Sequence, residues 1–232
     1  GYNKEIEIAH QRRNFLLSIT HELKSPIASI RLVLETFIKR KLNPEQIERF
    51  GKNAIKDSER LNELVNNLLF AAKLESAYQP HLEPVRLDYL INNIVDSISE
   101  KHPKVIFLKN IQNGIPIIEG DQNGIVSVIT NLVENAIKYN FTTQPKIEID
   151  LQQGNEKIFL NISDNGIGIS DREKNKIFER FYRVGNEDTR RTKGTGLGLY
   201  IVSQIVKAHQ GKITVADNIP KGTIFKIVLP KK

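Results

Sequence analysis

The sequence predicts an α+β protein: an antiparallel two-helix hairpin followed by an α/β sandwich with helices on one face of a largely antiparallel sheet. In the first third of the chain, apolar residues recur every three or four positions, which is the period of an amphipathic helix. Beyond residue 84, short strand-like segments alternate with helical ones. We therefore expect the hairpin over residues 1–77, a linker over 78–84 and the sandwich over 85–232.

The hairpin is predicted from one apolar stripe on each helix. The first stripe consists of Phe15, Ile19, Leu23, Ile27, Ile30, Leu34 and Phe37. The second, close to a heptad seam, consists of Ile47, Phe50, Ala54, Ser58, Leu61, Val65, Leu68 and Ala72. Asn43-Pro44 separates the helices, since Asn caps helices and Pro suits a first helical position. Two such helices have too little core to stand alone, so we expect a homodimer with a four-helix bundle.

The linker is predicted from Pro80 and Pro84, which interrupt the helical pattern. Helices and strands follow it in alternation. The predicted helices are 87–99, 121–139 and 197–209, and the predicted strands are 105–108, 115–118, 146–151, 158–162, 212–215 and 223–229.

Composition excludes several classes of function. The net charge of +7 is dispersed, without a basic tract interleaved with aromatic residues, so we expect no nucleic-acid partner. The absence of Cys excludes disulfides, thiolate metal sites and cysteine nucleophiles. No apolar run reaches about 18 residues, so we expect neither a membrane span nor membrane contact by these residues. The chain also lacks an initiator Met, and we interpret it as part of a longer protein.

His21 stands out in the first helix. At about 100° per residue, its side chain points almost opposite to the apolar stripe, with Ser25 one turn further along the same outer face. The adjacent Glu22 can keep one ring nitrogen protonated, which leaves the other as a nucleophile near neutral pH. The alternative is an ordinary surface histidine, which is our interpretation of His10.

Two glycine-rich turns indicate phosphate binding. Residues 164–168 (DNGIG) follow a predicted strand, and residues 194–199 (GTGLGL) lead into a predicted helix. Glycines at a helix start let backbone N–H groups approach phosphates. The spacing matches neither the dinucleotide fingerprint nor a Walker loop. Between the turns lie four cations that we predict to contact phosphate, namely Arg183, Arg190, Arg191 and Lys193.

A third group of polar residues lies on the predicted helix 121–139. Asn131, Asn135 and Lys138 are spaced i, i+4 and i+7, which places them on one face. Their amide oxygens are ligands of the kind that Mg²⁺ prefers. The alternative is a simple polar outer face.

Together, these residues resemble five motifs of sensor histidine kinases in the order of that family. Residues 21–26 (HELKSP) resemble the H box and residues 131–139 (NLVENAIKY) the N box. Residues 164–169, 177–183 (IFERFYR) and 194–199 resemble the G1, F and G2 boxes. The resemblance covers nearly the whole chain. It implies the cytoplasmic transmitter core: a HisKA-type dimerisation and phosphotransfer hairpin joined to a GHKL-type ATP-binding sandwich.

The resemblance implies a protein-histidine kinase that uses ATP and Mg²⁺. His21 would accept the γ-phosphoryl group, and Glu22 would act as base or orient the imidazole. Asn135, helped by Asn131, would ligate Mg²⁺, and Asp164 would bind the adenine amino group. The other implied ATP-binding residues are Lys138, Tyr139, Gly166, Gly168, Ile169, Phe178, Phe181, Arg183, Gly194, Thr195, Gly196, Leu197, Gly198 and Leu199. Phe178 and Phe181 would anchor a mobile lid over residues 183–195.

The implied partner is the receiver domain of a response regulator, whose aspartate would take the phosphoryl group. The ATP-binding domain would first swing about the linker to reach His21. One turn after the histidine the family usually has Thr or Asn, and this chain has Ser25. We therefore expect the chain to dephosphorylate the regulator, but more weakly than a variant with Thr. An upstream sensor and membrane anchor are expected outside these residues.

Three alternatives remain at this point. Another GHKL ATPase, of the chaperone, gyrase or mismatch-repair type, would share the nucleotide motifs but would not need the histidine hairpin. A relative that phosphorylates protein serine is the second. The third is a nucleotide-binding or dimerisation module without kinase activity, which would have a broken H box or N box.

Overall fold

The computed structural model describes residues 2–75, 78–184 and 195–231. Packing divides the chain into two compact units. The first contains the chain up to Glu75 together with the segment Phe181–Leu197, and the second contains Ser76–Arg180 and Gly198–Lys232.

The first unit is built on the predicted helical hairpin. Helix α1 spans Tyr2–Lys39 and α2 spans Pro44–Glu75. The break between them is a reciprocal cap, in which the Gln46 N–H donates to Asn43 Oδ1 (2.8 Å) and the Asn43 N–H donates to Gln46 Oε1 (3.1 Å). The helix start predicted at Pro44 is therefore confirmed, whereas α1 ends at Lys39, four residues before Asn43.

The predicted stripes are only partly buried within one chain. The buried apolar residues of the hairpin, Val33, Ala71 and Leu74, are at most 9% exposed but lie beside the predicted stripes, whose own residues are all half-buried or exposed. Five large stripe residues are instead 37–53% exposed, namely Ile27, Leu34, Phe37, Ile47 and Val65. A single hairpin thus leaves part of its apolar seam uncovered.

The second unit contains seven strands and four helices among the described residues. The strands are β1 (Glu83–Val85), β2 (Ile106–Ile111), β3 (Ile118–Gly120), β4 (Lys146–Gln153), β5 (Lys157–Asp164), β6 (Lys212–Asp217) and β7 (Thr223–Pro230). The helices are α3 (Leu87–Lys101), α4 (Gln122–Lys138), α5 (Asp171–Lys174) and α6 (Gly198–Ala208).

The main sheet has the order β2-β4-β5-β7-β6, in which only the β2–β4 pair is parallel. Alternate residues of β4, β5 and β7 are buried, so one sheet face is apolar and the other is open. Helices α3, α4 and α6 supply the other half of the core with residues such as Ile91, Leu132 and Ile201, each completely buried. This arrangement confirms the predicted α+β sandwich.

Two small elements differ from the prediction. Strand β1 overlaps the last two residues of the predicted linker and pairs antiparallel with β3, which joins Glu83 to Gly120 and Val85 to Ile118. A three-residue strand centred on Pro84 is too short to show a period, and proline is usual only at sheet edges. The single turn α5 was not predicted either, and β2 and β3 begin one and three residues later than expected.

Candidate active site

The predicted phosphoacceptor His21 lies on α1 with an exposed side chain, and Ser25 is exposed one turn further on. The neighbouring Glu22 is only 12% exposed and accepts a hydrogen bond of 2.5 Å from Arg60 Nη2 of α2. The carboxylate next to the histidine is therefore paired with the second helix. Arg60 was not singled out from the sequence, where it is one of many dispersed cations.

Two residues of the F-box segment contact α1 within the first unit. Arg183 Nη1 donates to Ser18 Oγ at 2.9 Å, three residues before His21, and Ser18 is 6% exposed. The rings of Phe181 and Phe15 stack with centroids 3.4 Å apart. Arg183, a predicted phosphate ligand, thus contacts α1 three residues before the predicted phosphoacceptor His21.

The predicted lid anchors have different environments. Phe178 packs edge-on against Phe225 of β7, at 6.4 Å between centroids. Phe181 has a positive φ of 69°, and its N–H donates to the Gly196 carbonyl. Gly196 itself has φ 71°, and a Cβ there would lie 2.7 Å from the Tyr182 carbonyl oxygen, so only glycine fits. The predicted site residue Gly194 and the lid cations Arg190, Arg191 and Lys193 lie outside the described residues.

Helix α4 presents the predicted amide pair to the start of α6. Asn131 Nδ2 donates to the Ser127 carbonyl at 2.8 Å, which leaves its amide oxygen facing Gly198. A Cβ on Gly198 would lie 2.6 Å from Asn131 Oδ1 and 4.0 Å from Asn135 Nδ2. Both asparagines therefore lie beside a helix N-terminus, where backbone N–H groups favour anions. These neutral oxygen donors fit a Mg²⁺ ion that takes its remaining ligands from phosphates and water.

Lys138 and Tyr139 lie at the C-terminal end of α4. The Lys138 ammonium is 5.3 Å from the centre of the Tyr139 ring, and the ring is 36% exposed. Both side chains are thus accessible to a ligand.

Asp164 ends β5 as a buried carboxylate, 7% exposed. Its Oδ1 accepts hydrogen bonds from the N–H groups of Gly166 (2.8 Å) and Thr223 (3.3 Å). Burial raises the pKa of Asp164, although these donors act in the opposite direction. A buried carboxylate suits recognition of a polar N–H group.

Glycines make room around this carboxylate. Gly222 has φ 131°, and a Cβ there would overlap the Asp164 carbonyl oxygen. Gly168 has φ 78° and lies against the Gly222 carbonyl. Gly166 has no room for a side chain, since a Cβ would lie 2.6 Å from the Tyr139 carbonyl. The end of α4 and the G1 turn are therefore in close backbone contact.

A hydrogen-bonded pair of asparagines, which sequence reasoning missed, joins the end of α4 to the G1 turn. Asn140 Nδ2 donates to Asn165 Oδ1 at 2.7 Å, and Asn165 Oδ1 also accepts from the Lys146 N–H at 2.8 Å. Asn165 Nδ2 donates to the Gln144 carbonyl at 3.0 Å, and Asn140 is 8% exposed. Thr223 was missed as well. A signal was available in each case, since Asn140 follows the N box, Asn165 lies within the G1 box and Thr223 begins a predicted strand.

The remaining predicted residues lie at the edges of these turns. Leu197 is 1% exposed, whereas the others are half-buried, namely Ile169, Thr195 and Leu199.

Two family matches account for most of the chain. Residues 11–77 match the His Kinase A (phospho-acceptor) domain, and residues 120–232 match the family described as Histidine kinase-, DNA gyrase B-, and HSP90-like ATPase. They define an ATPase domain joined to a phospho-acceptor helical domain. The chain belongs to the sensor histidine kinases. The match over residues 11–77 disfavours the alternative of another GHKL ATPase.

Named relatives agree with this assignment. Sensor histidine kinase WalK of Bacillus subtilis is 35% identical over 227 residues, which are 96% of this chain and 37% of that protein. The mycobacterial sensor histidine kinase MprB structure is 30% identical with a TM-score of 0.56, over 65% of this chain and 98% of that one. The chain thus spans well under half the length of WalK.

A third likeness concerns the fold. The histidine kinase ThkA, solved in complex with the response regulator protein TrrA, is 24% identical with a TM-score of 0.67. The match covers 99% of this chain and 66% of that one. No helix in the described parts of our chain is long and apolar enough to cross a membrane.

Proposed function

We propose that this chain is the catalytic core of a sensor kinase that transfers the γ-phosphoryl group of ATP to His21. One observation carries the proposal: Arg183, the F-box arginine, donates to Ser18, one turn before the exposed His21. A guanidinium there would stabilise the charge of a phosphoryl group in transfer. The same chain carries the buried Asp164 and the amide pair that suit an adenine nucleotide.

The transfer is a displacement at phosphorus. A ring nitrogen of His21 forms a bond to the γ-phosphorus, and the bond from that phosphorus to the β–γ bridging oxygen breaks, so ADP leaves with the electron pair. The second ring nitrogen keeps or releases a proton, and Glu22 is the nearest carboxylate in the sequence to take or hold it. The reacting atoms must first come within about 3–3.5 Å.

In this proposal, residues of the second unit hold the nucleotide. Asp164 accepts a hydrogen bond from the adenine amino group, with Gly166 and Gly168 leaving space for the base. Asn131 and Asn135 hold Mg²⁺, which neutralises phosphate charge when bound. Lys138, Tyr139 and the start of α6 bind the phosphates.

We further propose a homodimer that passes the phosphoryl group to an aspartate of a response regulator receiver domain. The uncovered seam residues, 37–53% exposed, support the dimer, because a second hairpin would bury them. That ThkA was solved with a response regulator supports the partner class. A membrane-anchored sensor upstream is consistent with the greater length of WalK.

The proposal is tested by incubating the chain with Mg²⁺ and ATP labelled at the γ-phosphate. We expect label that is lost in acid and kept in alkali, which is the behaviour of phosphohistidine. It should be absent from His21→Gln and present in His102→Gln, a matched control at the end of α3. Label that persists in His21→Gln would contradict the proposal.

A further inference from the structure

The segment predicted to be a linker is attached to the ATP-binding unit. The Tyr78 hydroxyl donates to Asp121 Oδ2 at 2.6 Å, and the His81 N–H donates to the same oxygen at 3.4 Å. Two residues further on, Glu83–Val85 pairs with β3. The chain from Tyr78 to Val85 is therefore held at its start, its middle and its end.

Asp121, the acceptor of these bonds, makes two further hydrogen bonds that hold it in place. It is the N-cap of α4, where its Oδ1 accepts from the Gly124 N–H at 3.0 Å. Its own N–H donates to Nε2 of the buried His209 at 2.8 Å. This bond places the ring proton of His209 on Nδ1, which lies 2.8 Å from the Ile205 carbonyl oxygen. Asp121 thus joins the start of α4 to the end of α6.

The Tyr78–Asp121 bond has the features of a strong hydrogen bond. Burial, followed by the hydrogen bond to Asp121, raises the pKa of Tyr78, so the phenol keeps its proton. Burial alone would raise the pKa of Asp121, but the hydrogen bonds from Tyr78, Gly124 and His81 lower it. A protonated phenol therefore donates to an ionised carboxylate. The hydroxyl also fills the space beside Gly124, where a Cβ would lie 2.8 Å from it.

We propose that Tyr78 is a positioning residue for phosphoryl transfer: it latches residues 78–82 to the N-terminus of α4, so that they move with the ATP-binding unit. The proposal rests on the proposed kinase activity. Without the latch, the tether between β1 and the helical hairpin gains five residues, about 16–18 Å of extra reach. A longer tether lowers the effective concentration of bound ATP at His21 and relaxes its orientation. The latch does not touch the nucleotide residues of α4, so nucleotide affinity is unaffected.

The test compares Tyr78→Phe, which removes only the hydroxyl, with Tyr89→Phe, whose side chain is 64% exposed on α3. Hydrogen exchange of the His81 amide, which donates to Asp121, reports the latch directly. We expect exchange about tenfold faster in Tyr78→Phe, autophosphorylation at saturating Mg-ATP about three- to tenfold slower, and affinity for a non-hydrolysable ATP analogue within about twofold of wild type. Tyr89→Phe should match wild type in all three measurements.

Several results would overturn the proposal. Unchanged exchange would mean that the bond does not hold the segment, and faster exchange with an unchanged rate would mean that the latch does not position the ATP. A parallel loss of nucleotide affinity would show that Tyr78 acts structurally through α4. If wild type does not autophosphorylate, the proposed function fails, whereas the exchange measurement still reports whether the latch exists.

Discussion

Arg60 on α2 and Glu22 on α1 form an ion pair, with 2.5 Å between Nη2 and Oε2. Glu22 is 12% exposed and Arg60 is 40% exposed, so solvent screens the pair only in part. Glu22 adjoins His21 in the sequence, and the pair therefore connects the neighbour of the proposed phosphoacceptor to the second helix. Its role in phosphoryl transfer is open to a direct test.

Arg60→Ala removes the partner of a mostly buried carboxylate, which leaves Glu22 free to change rotamer. We expect autophosphorylation to slow about tenfold, with ATP affinity unchanged because Arg60 lies outside the nucleotide unit. Initial rates over a range of ATP concentrations separate the two effects. The control is Lys56→Ala, an exposed cation on the same helix, which should retain the wild-type rate. Equal rates for both variants would contradict the role given to the ion pair.

Asp164→Asn removes a carboxylate whose pKa is raised by burial. A raised pKa means that the folded state binds the proton more tightly than the unfolded state. The stability from this group is therefore present at acid pH and is lost as the pH rises through the folded pKa. The asparagine variant should gain free energy of unfolding relative to wild type between about pH 4.5 and pH 7.5.

Urea unfolding of both proteins at the two pH values measures this change. The same variant should bind ATP at least about tenfold more weakly, because an amide in place of the carboxylate loses the charge-assisted bond to adenine. A variant that is destabilised more at pH 7.5 than at pH 4.5 would reverse the expected sign.

Asn165→Ala removes the amide that connects the end of α4 to the G1 turn. The Lys146 N–H and the Gln144 carbonyl lose their side-chain partner, and Asn140 loses an acceptor. We expect ATP affinity to fall by about tenfold or more, measured by calorimetry with a non-hydrolysable analogue. Asn161→Ala, a half-buried asparagine on β5, is the control. Equal affinity of the two variants would show that the amide pair does not shape the nucleotide site.

Leu34→Glu tests the seam of the proposed dimer. Leu34 is 53% exposed in the single hairpin and belongs to the predicted stripe. A symmetric dimer would bury one Leu34 from each chain. The variant loses the burial energy of two leucines, about 1.5–3 kcal/mol each, and places a charged glutamate in the seam. We therefore expect the dimer dissociation constant to rise at least about a hundredfold. Leu32→Glu is the matched control, 65% exposed on the outer face. Sedimentation equilibrium distinguishes the variants, and a monomeric wild type would refute the dimer.

Ser25→Thr concerns removal of the phosphoryl group from a response regulator. A serine hydroxyl makes the same hydrogen bond as threonine but lacks the methyl group that restricts the rotamer. We expect the threonine variant to dephosphorylate the regulator about two- to fivefold faster while autophosphorylating at the wild-type rate. The decay of a purified phosphorylated regulator measures this difference. Equal or higher activity of the wild type would contradict the prediction.

The parts of the fold that depend on local pattern were predictable from the sequence. The stripes of α1 and α2 and the cap at Asn43-Pro44 lie within single helices or one turn, where period and propensity determine the structure. The same is true of the start of α4 at Gln122 and of the alternating strands β4, β5 and β7.

Contacts between distant residues were not predictable in this way. Strand β1 exists because the chain returns to β3, and nothing in the three residues Glu83–Val85 indicates that partner. The Asn140–Asn165 pair, the Arg60–Glu22 pair and the Tyr78–Asp121 bond each join residues at least 25 positions apart. The motifs named the candidate residues, whereas the side chains that hold them in place depend on the tertiary structure.

The central claim is that the phosphoryl group of ATP is attached to His21. The most direct measurement is phosphopeptide mapping by mass spectrometry at alkaline pH, after a brief reaction of the chain with Mg-ATP. Our account predicts one phosphorylated peptide, whose fragments place the phosphoryl group on His21. Phosphorylation of any other residue, with the His21 peptide unmodified, would contradict it.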